Sequence, residues 1–193
     1  MLDPHRLFAA PRKEIWLEIG FGAGEHLAWQ AVSHPDTGFI GCEVFKNGIA
    51  ILLRSIDEGG LDNVRIWPAD ARLLLPALLP ASIGRIFLLF PDPWPKVRHA
   101  ERRFVCPPNL DVLARLLADG AELRIASDDP GYIVWTLMQM RARPEFEWLA
   151  RQPADWQARP ADWPETRYEA KALVAGRRPA YLRYRRRPRI MTP

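Results

Sequence analysis

A chain of 193 residues with 48% apolar and 26% charged content can fill one core, which excludes a disordered or short stapled scaffold. Its two cysteines, Cys42 and Cys106, form no disulfide framework, and His5, His26, His34 and His99 are scattered without metal-ligand spacing. The net charge of +4 is uneven: between 166 and 193 nine Arg and Lys face one Glu, a local balance of +8 that suits a polyanion partner.

No run is apolar enough to span a bilayer, because 73–84 is broken by Pro76 and Pro80, and Met1 to Pro11 lacks a signal-like apolar core. The expected setting is the cytoplasm, in a single domain over 1–193 with a short lead at 1–13.

Glu14 to Ile19 reads as a short strand. Gly20-Phe21-Gly22-Ala23-Gly24 breaks it, and Glu25 to Val32 follows with helical spacing. A strand, a glycine loop and a helix make a nucleotide-binding opening in which Gly20, Gly22 and Gly24 let backbone approach a ligand. Glu25 stands where a dinucleotide loop wants its third glycine. Glu18, at the strand's end, would repel a pyrophosphate but suits a ligand carrying ammonium and sulfonium. These residues point to S-adenosylmethionine rather than NAD.

Thr37 to Cys42 is a second strand ending at Glu43, which is placed to accept ribose hydroxyls. The spacing predicts a helix over 46–56, closed by Gly59-Gly60, with Leu52 and Leu53 inward. A third strand over 63–67 ends near Asp70, placed to accept from an adenine amino group. One acid at each of three strand tips is not what core packing selects.

After a proline-interrupted helix at 73–79 comes Arg85 to Phe90, an apolar run that reads as a strand buried on both faces. It delivers Asp92 between Pro91 and Pro93, which give the carboxylate a rigid mount. Trp94 offers a flat face for a nucleobase, and Lys96, Arg98, Arg102 and Arg103 offer cations for phosphates. A helix over 109–118 and a strand over 121–126 follow, the strand ending at Ser127-Asp128-Asp129. The next helix spans 131–140. The segment 144–165, with Pro-Ala-Asp-Trp written twice, reads as a mobile loop over the site edge. Thr166-Arg167-Tyr168-Glu169 and Tyr181-Leu182-Arg183-Tyr184 read as two alternating strands, and 185–193 as a basic tail.

The expected fold is α/β and Rossmann-like: a mostly parallel sheet, helices on both faces and an antiparallel C-terminal edge. With Leu17 to Gly24, Gly41 to Val44, Ala69 to Ala71, Leu89 to Lys96, Ala126 to Asp128 and Thr166 to Glu169 in hand, the chain resembles the bacterial tRNA (guanine-N7)-methyltransferases. The resemblance implies a class I methyltransferase acting on a guanosine in the tRNA variable loop. In it Glu18, Glu43, Asp70 and Asp92 bind S-adenosylmethionine, and Asp92 is the catalytic carboxylate. Lys96, Asp128, Thr166, Arg167, Tyr168 and Glu169 bind the target guanosine, and Arg98, His99, Arg102 and Arg103 contact RNA. No metal and no membrane enter this picture, and the protein is expected as a monomer or homodimer. Two other readings stand beside it: methylation of an exocyclic amine of an RNA base, and an RNA-binding protein that keeps the cofactor fold without turnover.

Overall fold

Strand β4 (Ile83–Leu89) lies in the middle of a seven-stranded sheet and is apolar wherever the sheet buries it, with Ile86, Phe87 and Leu88 at most 2% exposed. The structure is a computed structural model and describes residues 1–189; the last four positions of the basic tail lie outside the described residues. The other strands are β1 (Glu14–Ile19), β2 (Thr37–Cys42), β3 (Val64–Trp67), β5 (Leu117–Ser127), β6 (Phe146–Trp148) and β7 (Ala180–Arg186).

They are ordered β3-β2-β1-β4-β5-β7-β6. The first five are parallel, and β7 runs antiparallel to both β5 and β6. Because β2 and β3 lie on one side of β1 and β4 and β5 on the other, the chain reverses its winding between β1 and β4. In such sheets that reversal opens a crevice at the carboxyl ends of the two strands.

Side chains alternate between two cores, as strand geometry requires. Ile15, Leu17, Ile86, Leu88, Leu123 and Ile125 face one core with α4 (Pro107–Leu116) and α5 (Pro130–Arg141). Trp16, Phe39, Phe87, Leu89 and Ala126 face the other with α1 (Glu25–Ser33) and α2 (Lys46–Gly59). The short α3 (Ala71–Leu74) continues into a 3-10 turn, and α6 (Ala154–Gln157) and α7 (Arg167–Val174) complete the chain.

The antiparallel edge differs in its parts from the expectation. Thr166 to Glu169 is not a strand but the start of α7. Thr166 is its N-cap, its Oγ1 accepting from Glu169 N at 3.2 Å. Thr-x-x-Glu is the first half of a capping box, and this local bond prevails over the period-2 pattern. The second antiparallel strand is β6, inside the segment read as a loop.

That segment is tied down at several points. Trp163 is buried, Asp162 meets Arg124 at 2.8 Å, and Gln30 Nε2 donates to the Asp162 carbonyl at 2.8 Å. Arg124, 2% exposed in β5, also donates to Glu122 at 2.8 Å. The tail likewise spends cations internally: Arg189 donates to the Ala114, Arg115 and Leu117 carbonyls, and Arg186 to Ala114. These orphan carbonyls close α4, where a cation is favoured.

Burial raises the Glu122 and Asp162 carboxyls, but Arg124 and its neighbours outweigh it and hold both below their ordinary values. An acid with a lowered folded value contributes stability that is complete above its unfolded value and lost as pH falls through the folded one. Urea unfolding followed downward from pH 5 should therefore lose stability below the ordinary values of 4.5 and 3.8. In an E122Q/D162N variant that acid limb should be flatter, with lower stability at neutral pH.

Candidate active site

The crevice at the reversal point is a cleft of about 820 Å³, and into it open the loops after β1, β2, β3 and β4. Gly20, Gly22, Glu43, Asp70, Asp92 and Arg102 all line it, so four strand tips deliver their predicted residues to one cavity. Glu18 and Thr166 line a smaller recess that adjoins the cleft, sharing Gly20, Leu89, Phe90 and Tyr168 with it.

Glu43 locks the two halves of the rim together. One carboxylate oxygen accepts from Gly22 N at 2.8 Å, the other from Val44 N at 2.7 Å and Phe45 N at 2.9 Å. The glycines divide their work. A Cβ on Gly20 would meet nothing within 4 Å, so backbone there is open to a ligand. Gly24, at φ 79°, lies outside the cleft; a Cβ there would stand 2.7 Å from Leu52, so its role is packing the loop onto α2.

Asp70 caps α3 by accepting from Arg72 N at 2.9 Å and is paired with the Arg72 guanidinium. The Arg72 hydrogen bond holds its carboxyl below the usual range. Cys42 also lines the cleft, but burial, with Asp70 and Glu43 nearby, pushes its thiol up to about 12. It is therefore no nucleophile at neutral pH.

Glu18 is almost wholly buried and meets His26 Nδ1 at 2.6 Å. Gln30 Nε2 lies 3.1 Å from His26 Nε2 while donating to the Asp162 carbonyl. Since a carbonyl accepts only, the amide must present its nitrogen here. That makes His26 Nε2 the acceptor and puts the imidazole proton on Nδ1, toward Glu18. Sequence reasoning passed over His26, whose spacing with Glu18 resembles no known ligand pattern.

Asp92 is exposed at the cleft, and among the described residues no hydrogen bond or ion pair takes up its carboxylate. Its loop is bracketed by Phe90 at φ 50° and Trp94 at φ 42°, left-handed conformations that non-glycine residues adopt at a cost. The Arg102 guanidinium lies 4.8 Å from the Trp94 ring centre, so one face of that ring is already covered.

Of the residues expected to hold guanosine, Thr166 to Glu169 form the start of α7, with Tyr168 lining the cleft and Thr166 the recess, whereas Lys96 and Asp128 line neither. The Tyr168 ring lies against Gly22, within 3.0 Å of where a Cβ would be. Glu169 is buried and accepts from Tyr181 Oη at 2.6 Å and from Arg159 at 3.0 Å. Asp128 is paired with Arg177 and Arg167 with Glu25, each at 2.5 Å. Lys96 and Arg98 are exposed, and His99 packs edge-on to Trp94. Arg103 is turned inward. Groups able to hold a metal are absent among the described residues, and no described helix is long and apolar enough to cross a membrane.

The family model described as "Putative methyltransferase" matches residues 12–181. A tRNA (guanine-N(7)-)-methyltransferase of Rhodospirillum rubrum is 61% identical, over 100% of this chain and 75% of its own length. One of the same name from Paramagnetospirillum magneticum is 56% identical, over 97% and 79%. Among solved structures, a rRNA methylase from Streptococcus thermophilus aligns with a TM-score of 0.62 at 12% identity, covering 91% of this chain and 87% of its own. A 16S rRNA methyltransferase aligns with a TM-score of 0.63 at 16% identity, covering 92% and 89%. At those identities the likeness is one of fold.

The Glu18–His26 contact makes a sharp prediction about stability. Removing one partner of a buried polar pair orphans the other at a cost of about 1–3 kcal/mol, whereas replacing both is cheaper. Denaturant unfolding should find H26L destabilised by about that much and the E18L/H26L double variant less destabilised than H26L alone.

Proposed function

This chain belongs to the tRNA (guanine-N7)-methyltransferase family, and from that premise we propose that Asp92 is the carboxylate on which its turnover depends. The enzyme transfers a methyl group from S-adenosylmethionine to N7 of a guanosine in tRNA, and the variable loop is the site within tRNA that we assign to it.

The rim fits the cofactor. Glu43, with lone pairs left on a carboxylate fixed by three backbone donors, suits ribose hydroxyls; Asp70 at the β3 tip suits the adenine amino group. Glu18, in the adjoining recess, suits the methionine ammonium, and Gly20 leaves room for close approach. When bound, S-adenosylmethionine supplies a methyl group already activated on a positively charged sulfur.

What the chain must add is modest in kind. Guanine N7 is an acceptor with a free lone pair and no proton to remove. Alignment therefore supplies most of the acceleration, and no strong general base is needed. Positive charge develops on the purine as the bond to N7 forms. A fixed anion beside it stabilises a charge that is absent in the ground state. Asp92 suits that task because its carboxylate stands in the cleft on the rigid loop that ends β4 and, among the described residues, has no internal partner, which is the observation that carries the assignment; Glu101, also at the cleft and also without a partner there, belongs to the following 3-10 turn and not to a strand tip.

Tyr168, from the start of α7, and Asp92 line the same cleft, and we assign the guanosine to the space beside them. Asp128 and Glu169, each now held by an arginine, accept from the ring N–H and amino group in this reading, and Lys96 donates to O6. Arg98 and Arg102 face phosphate. The free thiols Cys42 and Cys106 favour work in the reducing cytoplasm.

The test uses purified protein, unmodified tRNA and labelled cofactor. Product tRNA should break at one guanosine after borohydride and aniline, which cleave at N7-methylguanosine and not at an exocyclic N-methyl group. D92A should lose about 10²–10³-fold in kcat, as expected for a lost electrostatic stabiliser, and retain cofactor affinity. Turnover by D92A near that of the unaltered enzyme would remove Asp92 from this role.

A further inference from the structure

Arg103 differs from its neighbours in the basic cluster. Arg98 and Arg102 are exposed, whereas Arg103 is half-buried with its guanidinium directed at the backbone of the Asp92 loop. Nε donates to the Pro93 carbonyl at 3.0 Å, and Nη2 to the Trp94 carbonyl at 3.1 Å. The guanidinium carbon lies over the Trp135 ring of α5, 4.8 Å from its centre, and the Trp135 indole is itself fixed by donating to the Val105 carbonyl at 2.6 Å.

The composition of the loop explains why it needs such a clamp. Pro91, Pro93 and Pro95 have no N–H, so this stretch has few donors with which to bind itself to the protein. Its carbonyls remain, and holding them takes a donor from elsewhere. Left-handed backbone at Phe90 and Trp94 persists only where the surroundings over-determine it. A guanidinium provides two parallel donors in a fixed plane, matched here to two successive carbonyls, and a flat face for the indole.

We propose that Arg103 is a positioning residue that clamps the Pro93 and Trp94 carbonyls against α5 and so sets the place of Asp92, and is not an RNA contact. This rests on the reading of Asp92 given above. A phosphate contact and a clamp predict different behaviour for lysine. Lysine retains the charge that a phosphate would feel, but its ammonium has neither the two-pronged plane nor the stacking face.

The experiment uses the full chain with R103K, R103Q and W135L, with melting temperatures to confirm folding. R103K and R103Q should each lower kcat on tRNA by about 10²-fold, the loss expected for a reacting group misplaced by about 1 Å. Their affinity for tRNA, and its slope against log salt, should match the parent. Trypsin should cut after Lys96 faster in both than in the parent, with no substrate present. W135L, which alters no cation, should shift kcat and proteolysis in the same direction.

Restoration of turnover by R103K would overturn the proposal. So would a loss of tRNA affinity with a salt slope smaller by about one and kcat retained at saturating tRNA, the mark of a phosphate contact. If the parent enzyme itself fails to methylate tRNA, the functional reading falls. Proteolysis then decides the clamp: faster cleavage in R103K and R103Q upholds it, unchanged cleavage overturns it.

Discussion

A strand buried on both faces has no exposed side on which to carry chemistry, and that constraint arranges the whole molecule. β4 is flanked by β1 and β5 and covered by a core on each face, so a polar group along it would need a buried partner. Reactive groups therefore collect where the backbone leaves the sheet. The reversal of winding between β1 and β4 sets two such exits side by side, one bearing the glycine loop and the other Asp92. The cleft follows from topology, and the side chains only furnish it.

The furnishing follows a common rule. The acids at the other strand tips and at the start of α7 are each secured by a donor close at hand: His26 for Glu18, three backbone N–H groups for Glu43, Arg72 for Asp70, Arg177 for Asp128, Tyr181 and Arg159 for Glu169. A secured carboxylate is oriented before any ligand arrives, and ordering it then costs the complex little. Asp92 is oriented by other means: its backbone is fixed by prolines and positive φ, and its carboxylate is left available. Fixed geometry with an unspent charge is what stabilising a transient cation requires.

How much of this was legible depended on whether the deciding interaction was local. Acids at strand tips were readable because a strand's end, a Gly or Pro break and the acid fall within a few residues of one another. The Asp92 mount was readable for the same reason. Thr166 to Glu169 carries two local signals that conflict, alternation and a Thr-x-x-Glu cap, and in the fold the cap prevails. β6 was missed because three residues make too short a pattern. Leu53, assigned inward on α2, is 54% exposed; the helix turns Leu52 alone into the core at that point. The inward turn of Arg103, the pairing of His26 with Glu18 and the docking of Arg186 and Arg189 on α4 were not readable. Each depends on elements distant in sequence, and a lone cation looks the same in sequence whether it meets phosphate or a buried carbonyl.

The face of the sheet beneath 144–165 shows the cost of bringing distant parts together. Glu18 and Arg124 both lie on it, nearly without exposure, where apolar residues would pack at lower electrostatic cost. What they gain is connection. Asp162 accepts from Arg124 with its carboxylate and from Gln30 with its carbonyl, and Gln30 passes the contact through His26 to Glu18. A residue from the last quarter of the chain is thereby coupled to the acid that ends β1. Apolar packing would hold the segment with less expense but without direction. Hydrogen-bonded charges allow few alternative registers, so the cofactor-side acid is oriented only when the C-terminal part has taken its place.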